Sequence, residues 1–350
     1  MKDGKFLVLG IESSCDDTSA SVVADGRDIL SLSISSQIDI HTLYGGVVPE
    51  IASRNHIKNI NHVIDQAMAE AGAEFDDLDL IGVTCGPGLI GSLVVGVSAA
   101  KALAYAADKP LIGVHHLQGH ISADYIEYPE LEPPFAAVVA SGGNTDIIDV
   151  RGYNDLELLG RTRDDAAGEA MDKVARVMGI GYPGGPVIDR LAKSGNPHAV
   201  EFGRVMLEKG SYDFSFSGLK TQVINYVNQS RMKGENIKKE DLAASFQQAV
   251  MDVITEKALE AACEYGREKI ALAGGVASNS LLRSMMKDIC TENGFGLYVP
   301  RPVLCTDNAA MIACAAYYRY REFGPDGLEL DAYPVLDLAE GARGEWQAPH

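Results

Sequence analysis

The chain has 350 residues, 46% hydrophobic and 23% charged, which suits a globular protein of two domains and excludes wholesale disorder. Forty-nine acidic against 30 basic residues leave a net charge of −19, so a polyanion is repelled at long range unless a basic patch or a partner intervenes. Six dispersed cysteines without a CxxC pair argue for reduced thiols rather than a disulfide framework. No apolar run is expected to reach the ~18 residues of a membrane span, so the expectation is a cytoplasmic protein with no membrane partner.

The first element, Phe6 to Ile11, runs into a polar tip at 12–18 and a second apolar run, Ser19 to Ala24. Two such runs around a small-polar tip spell a β-hairpin. A helix is expected over 50–72. Leu80 to Thr84 then enters the turn Cys85-Gly86-Pro87-Gly88 and a small-residue helix ending near Ala107. After an apolar strand comes His115-His116-Leu117-Gln118-Gly119-His120, and then a proline cluster at 129, 133 and 134 that marks a domain boundary.

Beyond the boundary the same shapes return. Phe135 to Ala140, the tip 141–146 and Ile147 to Val150 form a second hairpin; Ile270 to Ala273, the turn 274–279 and a helix to about Cys290 repeat the strand, glycine turn and helix. Between them, helices are expected over 165–179 and 239–265, while Gly181 to Pro186 is too rich in glycine and proline for helix. A last helix over 307–323 is expected to cross back onto the first domain. The domains expected are thus 1–130 with that helix, 131–306, and a polar, irregular tail at 326–350. The fold class is α/β, a duplicated domain.

Glycine turns at the N-termini of helices let backbone N–H groups approach a phosphate. One alone is as well explained as a plain turn, but four in duplicated positions point to a nucleotide cleft. Neither a GxxxxGK[ST] nor a GxGxxG fingerprint is present. His116 and His120 are four residues apart, so on a helical turn they share a face and can grip one metal ion; a pair of buried, hydrogen-bonded histidines is the plainer alternative. HExxH protease chemistry is disfavoured, because Leu117 stands where the Glu base belongs. Asp307 is a candidate third ligand or, equally, the N-cap of the last helix. The acids of 164–173 suit ribose hydroxyls or simply a helix dipole, and Lys220 sits beside aromatics that read as exposed.

The runs GIESSCDDT (10–18), YGGVVPEIASRNH (44–56), GPGLIGSL (86–93), HHLQGH (115–120), SGGNT (141–145), DDAAGEAMDK (164–173), YPGGP (182–186), FSFSGLKT (214–221), AGGVASN (273–279) and CTDNAAMIA (305–313) together resemble the bacterial TsaD family, the tRNA N6-adenosine threonylcarbamoyltransferases. The resemblance spans nearly the whole chain in the family's order. It implies two ribonuclease-H-like halves, as in actin and sugar kinases, around a nucleotide cleft. It also implies one divalent metal ion, Fe2+ or Zn2+, on His116, His120 and Asp307. Adenylate contacts would fall on Val139, Ala140, Ser141, Gly142, Gly143, Asp172, Gly185, Asp189 and Asn279. Gln118 and Asn144 depart from the family's usual Glu and His.

The implied reaction moves a threonylcarbamoyl group from threonylcarbamoyl-AMP to N6 of adenosine 37 in tRNAs reading ANN codons. The metal would polarise the carbamoyl group, the N–H groups of the 141–143 turn would bind the phosphate, and Glu12 is a candidate base. Implied partners are tRNA, a TsaB-like paralogue and a TsaE-like ATPase, with residues 50–72 as part of the partner face. The competing classes are an actin-like small-molecule O-carbamoyltransferase, an ATP-binding chaperone or scaffold without metal, and a metallopeptidase.

Overall fold

A computed structural model describes residues 4–205 and 210–346. The chain divides into two units: residues up to Pro133 with Val150–Glu157 and everything from Val303 onward, and Pro134–Asp149 with Leu158–Pro302.

Unit one begins with the expected hairpin, β1 (Leu7–Glu12) and β2 (Asp17–Ala24), antiparallel with Leu7 opposite Ala24 and Glu12 opposite Ser19. Strand β3 (Asp28–Ser36), which the sequence reading did not separate, pairs with β2 and is partly exposed, as an edge strand is. The short helix α1 (Ile38–Thr42) and the long α2 (Pro49–Glu70) follow. Then come β4 (Leu80–Gly86), α3 (Ile90–Ala107), β5 (Leu111–His115) and α4 (His116–Glu127). The sheet order is β3-β2-β1-β4-β5, with β4 parallel to β1 and to β5. Strands β1, β4 and β5 are buried along their whole length, the mark of strands covered on both faces.

In unit two, β6 (Phe135–Ala140) and β7 (Thr145–Val150) are adjacent and wholly buried, and β8 (Leu156–Arg161) lies at the edge. Helices α5 (Ala167–Met178), α6 (Gly184–Ala192), α7 (Ser217–Lys233) and α8 (Lys239–Glu264) lead to β9 (Lys269–Ala273), a short turn at Gly275–Ser278, α9 (Ser280–Asn293) and β10 (Gly296–Tyr298). The order β10-β9-β6-β7-β8 repeats, strand for strand, the order of the first sheet. The duplication read from the hairpins and glycine turns is therefore a duplication of the whole sheet.

The remaining helices, α10 (Pro302–Cys305), α11 (Ala309–Phe323) and α12 (Leu338–Arg343), close the chain. Leu7, Leu9 and Ile11 of β1 join a core with Ile60 and Val63 of α2 and Val97 and Ala100 of α3. Side chains alternate across a strand, so Gly10 faces the other way, and there α11 lies. A Cβ on Gly10 would come within 2.2 Å of the Ala309 carbonyl and 2.8 Å of the Ala313 nitrogen; one on Gly82 would come within 2.5 Å of the Ala316 Cβ. Two strand glycines and three helix alanines thus seat α11 deep on the sheet. Gly119 does the same for α4, where a Cβ would meet Ile312 at 2.7 Å.

Three expectations need correction. Gly184–Pro186 is helical: it forms the first turn of α6, where the missing proline N–H has no intrahelical partner to lose. Helix α3 is long and apolar enough by composition to cross a membrane; here it lies on α2 and β4, with Gly91 close to Ser53 and Gly96 close to Val83 and Ser13. The segment 326–346 is not an irregular polar tail. Asp326 accepts from the Gly113 N–H (2.8 Å) and pairs with buried Arg319, Arg319 stacks over Trp346, and Leu330, Leu336 and Leu338 are buried. Residues 347–350 lie outside the described residues.

Candidate metal centre and nucleotide-binding loops

The metal candidate is built within unit one. Strand β5 ends at His115, whose Nδ1 caps α4 by accepting from the Leu117 N–H (3.2 Å) while its Nε2 donates to the Leu336 carbonyl (3.3 Å). Burial holds this imidazole neutral, lowering its pKa to about 3. Helix α4 then presents His116 and His120 one turn apart, with ring centroids 4.6 Å from each other. The N-cap of α11 is Asn308, which accepts from the Met311 N–H (3.1 Å). Asp307 is therefore released from the capping role that the sequence left open. Its Oδ1 lies 3.5 Å from His116 Nε2 and 3.2 Å from His120 Nε2.

One ligand atom from each of the three residues falls within 4.8 Å of the others, and ligands ~2.1 Å from a tetrahedral ion stand about 3.4 Å apart. Among the described residues His120 Nε2 is buried and, although Asp307 Oδ1 is near, makes no hydrogen bond of proper geometry, as a ligand atom awaiting a cation would be. Two imidazoles and a carboxylate are a borderline-soft donor set that fits Zn2+ or Fe2+ alike. Burial opposes charge here, yet Asp307 and Glu12 hold His116 at about 9, and the His116 and His120 rings hold Asp307 at about 2.

Glu12, the candidate base, is tied to His116. It is fully buried. Its Oε1 accepts from the Ser14 N–H, and its Oε2 accepts from Thr84 Oγ1 (2.6 Å) and faces His116 Nδ1 (3.2 Å). Both oxygens are engaged by internal partners, and the carboxylate presents no exposed surface. A carboxylate on the far nitrogen of a ligating histidine fixes its tautomer and ring orientation, and Glu12 stands in that relation to His116. Ser14, whose Oγ is 3.2 Å from the same Nδ1, and Thr84 were not singled out in the sequence; they come from the hairpin tip and from β4, and no motif links them. Gln118 faces away from the centre, donating to Asn154 Oδ1 (2.8 Å).

The nucleotide loops are built within unit two. Ser141 N–H donates to the Asn144 carbonyl (2.8 Å) and its Oγ accepts from the Asn144 N–H (3.1 Å), closing a tight turn after β6. The Ser141 N–H is thus already used, a correction to its assignment as a phosphate donor; Gly142 and Gly143 face open space. Two glycines, Gly168 and Gly274, let neighbouring segments meet the end of β6 and this turn, and a third, Gly184, lets the start of α6 meet α5. A Cβ on Gly168 would lie 2.5 Å from the Ser141 carbonyl, one on Gly274 2.4 Å from the Ala140 carbonyl, and one on Gly184 2.5 Å from the Met171 carbonyl. Gly274 also has φ +84°, where a side chain is strained. Beside them, Gly275 has no neighbour within 4 Å of a Cβ position, and a Cβ on Gly185 would meet only the Met171 sulfur, at an ordinary 3.6 Å.

Asp172 Oδ1 accepts from the Gly184 N–H (2.6 Å), tying α5 to the start of α6. Asn279 Oδ1 caps α9 through the Leu281 and Leu282 N–H groups. Asp189 Oδ1 accepts from Ser280 Oγ (2.8 Å) and from Gln247 Nε2 (3.2 Å). Val139 and Ala140 at the end of β6, the turn Ser141–Gly143, Asp172 of α5, Gly185 and Asp189 of α6 and Asn279 before α9 therefore lie on neighbouring elements of unit two, joined by these contacts. The acids at 164–165 do not join it. Asp164 accepts from Ser215 and the N–H groups of Phe216 and Ser217, and Asp165 pairs with Lys173 and Lys220. Phe214 and Phe216 are buried rather than exposed.

A duplicated sheet of this order defines an actin-like α/β fold, here with a His-His-Asp group that could hold a metal ion. Solved structures agree on the fold. Full-length HypF in the phosphate- and nucleotide-bound form has a TM-score of 0.61 at 15% identity, over 93% of this chain and 47% of that one. The activator of the 2-hydroxyisocaproyl-CoA dehydratase from Clostridium difficile has a TM-score of 0.51 at 14% identity, over 91% and 96%. Residues 28–314 match the family model for TsaD, tRNA N6-adenosine threonylcarbamoyltransferase. The proteins of that name from Clostridioides difficile (strain 630) and Clostridium kluyveri (strain NBRC 12016) are each 54% identical, over 95% and 97% of this chain and 98% and 99% of theirs. The chain belongs to the tRNA N6-adenosine threonylcarbamoyltransferase family.

Proposed function

We propose that the chain transfers a threonylcarbamoyl group from threonylcarbamoyl-AMP to N6 of adenosine 37 in tRNAs reading ANN codons, in the cytoplasm. The observation that carries the reading is the convergence of His116, His120 and Asp307 in a chain that matches its relatives from end to end. A small-molecule carbamoyltransferase or a metal-free scaffold on the same fold is not favoured by those relatives.

In the reaction N6 attacks the carbamoyl carbon, the bond from that carbon to the phosphate oxygen breaks, AMP departs, and the amine loses a proton. His116, His120 and Asp307 would hold an Fe2+ or Zn2+ ion, which would supply Lewis-acid polarisation of the carbamoyl group. Glu12, with Ser14 and Thr84, holds the His116 ring in orientation and keeps its proton on Nδ1. The open turn at Gly142–Gly143 takes the phosphate, and Asp172, Gly185, Asp189 and Asn279 hold the nucleoside, so the adenylate is fixed before attack. The hydrogen bonds that hold Asp172 to the Gly184 N–H and Asn279 to the Leu281 N–H support side chains that are already oriented within unit two.

The charge of −19 opposes tRNA, so the reading includes partners, a TsaB-like paralogue and a TsaE-like ATPase. Exposed Leu43, Tyr44, Ile57 and Val94 on and beside α2 and α3 support a partner face there.

The test is mass spectrometry of nucleosides from tRNA incubated with the chain, both partners, threonine, bicarbonate and ATP. Threonylcarbamoyl-adenosine formed by the wild type and lost in His116→Ala and His120→Ala, together with bound metal, is the result expected. Modified tRNA from a metal-free His120→Ala enzyme would overturn the metal's part. No modification under any combination would overturn the reaction.

A further inference from the structure

Gln118 stands in α4 between the two candidate histidine ligands, where the family's usual residue is Glu. Two residues along a helix turn a side chain to the opposite face, and Gln118 faces Asn154 instead of the metal centre. Asn154 lies in the turn between β7 and β8, and this stretch, Val150–Glu157, counts with unit one. Both residues are buried. Gln118 Nε2 donates to Asn154 Oδ1 (2.8 Å) and to the Tyr153 carbonyl (3.3 Å). Asn154 Nδ2 donates in turn to Glu322 Oε2 (2.7 Å) and to the Tyr318 carbonyl (3.3 Å), both on α11. A hydrogen-bonded relay thus joins α4, which carries His116 and His120, to α11, which Asp307 directly precedes.

The relay has a direction. A carboxylate only accepts, so Asn154 turns its NH2 end to Glu322 and its oxygen to α4. That oxygen needs a donor from residue 118. Gln supplies one, whereas a Glu carboxylate would set acceptor against acceptor. Both side-chain hydrogen bonds of Gln118 are donated, and its buried Oε1 accepts none among the described residues. The turn that presents Asn154 has its own anchors on the same helix. Tyr153 stacks on Tyr318 with ring centroids 3.9 Å apart, and Arg27 donates to the Tyr153 hydroxyl (3.0 Å). A shift of either helix against the other would therefore strain or break the bonds of Asn154.

We propose that Asn154 and Gln118 are positioning residues of the metal centre: with Glu322 they brace α4 against α11 and so set His116 and His120 at their distance from Asp307. The inference rests on the metal reading above. The brace acts through the two helices and not on the ion. Ligand positions tolerate only about 0.2 Å, so a small slip of one helix along the other is enough to weaken the site. The same geometry accounts for Gln in place of Glu at position 118 of this chain.

Titration of the full chain with Co2+ against a competing chelator tests this, with the visible spectrum of the bound ion reporting its coordination geometry. The variants are Asn154→Ala, Gln118→Glu, Glu322→Gln and the double Gln118→Glu/Glu322→Gln, all held where circular dichroism shows them folded. Asn154→Ala and Gln118→Glu should each bind Co2+ about 10-fold more weakly, the worth of one hydrogen bond lost from a buried relay, and with an altered spectrum. Glu322→Gln alone should stay within about 3-fold of wild type, because an amide oxygen still accepts from Asn154. In the double variant the Asn154 amide can turn over, donating towards position 118 and accepting from position 322. Affinity should then recover at least about 3-fold over Gln118→Glu, a coupling that independent losses of packing would not give. Asn154→Ala alone decides the matter should Gln118→Glu fail to fold. A lowered Tm with wild-type Co2+ affinity and spectrum in Asn154→Ala, or a double variant no tighter than Gln118→Glu, overturns the brace and leaves the metal reading standing. Failure of wild type to bind Co2+ overturns both.

Discussion

Gly10→Ala tests how the metal centre is assembled. The new methyl would stand 2.2 Å from the Ala309 carbonyl oxygen, against an ordinary separation of about 3.5 Å, so α11 must retreat by roughly 1 Å. The obstacle is helix backbone, which cannot rotate away as a side chain can. Overpacking of a tight core costs about 1–3 kcal/mol, and this site belongs at the upper end. The lower freedom of alanine in the unfolded chain offsets about 0.4–1 kcal/mol, leaving a net loss of about 2 kcal/mol. For a unit of this size that lowers Tm by roughly 4–8 °C. Asp307 sits just before α11 and retreats with it, while ligand positions tolerate only about 0.2 Å, so metal affinity should fall as well. Calorimetry with and without metal, and elemental analysis of the purified protein, read both effects. Gly203→Ala is the control, because its Cβ would meet only the Gln222 side chain, at 3.5 Å. A Gly10→Ala protein with wild-type Tm and full metal content would refute the close seating of α11 as the device that delivers Asp307.

Other expectations are simpler to state. Glu12→Gln should weaken metal binding about 10–100-fold, the usual effect of losing a ligand's outer partner, with the sheet intact by circular dichroism; unchanged affinity would return Glu12 to some other task. Gly275→Leu should abolish AMP binding while Tm holds, since the site is open and φ there is ordinary; retained binding would remove the loop from the nucleotide site. Asp146 provides a pH signature. Its burial pushes the carboxyl up to about 6, against the opposing Asn144 hydrogen bond. A folded pKa above the unfolded one means that its stabilising contribution is complete below about pH 4 and lost as pH rises through 6. Asp146→Asn should therefore gain up to about 3 kcal/mol on wild type between pH 4 and pH 8, and an unchanged difference between the two proteins across that range would count against it.

Much of the architecture was legible because local signals agreed with one another. Hairpin tips, strand-to-helix glycine turns and the expected helices at 50–72, 165–179 and 239–265 fell within a few residues of α2, α5 and α8. The His116/His120 spacing was readable as well, since four residues place two rings on one helical face. Tertiary partners were not readable. Glu12 looks like any acid at a loop tip, and its attachment to His116 and Thr84 exists only once β1, β4 and β5 lie side by side. Asp307 could be told from a capping residue only by seeing Asn308 do the capping. The C-terminal segment misled through its polar composition: it is held by main-chain bonds, such as Tyr333 N–H to the Cys85 carbonyl, which no side-chain pattern announces.

The order of synthesis gives the split of unit one a further meaning. A ribosome makes β1 to β5 and α4 first, then all of unit two, and only afterwards Asp307, α11 and the segment that binds His115. Until then the face of the sheet at Gly10 and Gly82 has no cover, and two histidines wait without their carboxylate. A product stopped anywhere before residue 307 would carry both histidines, and one stopped shortly before it the loops of unit two as well, yet neither could complete the metal centre. The candidate metal centre consequently cannot be complete before Asp307 is made, and a chain stopped short of α11 leaves an apolar sheet face open to the cell's chaperones and proteases.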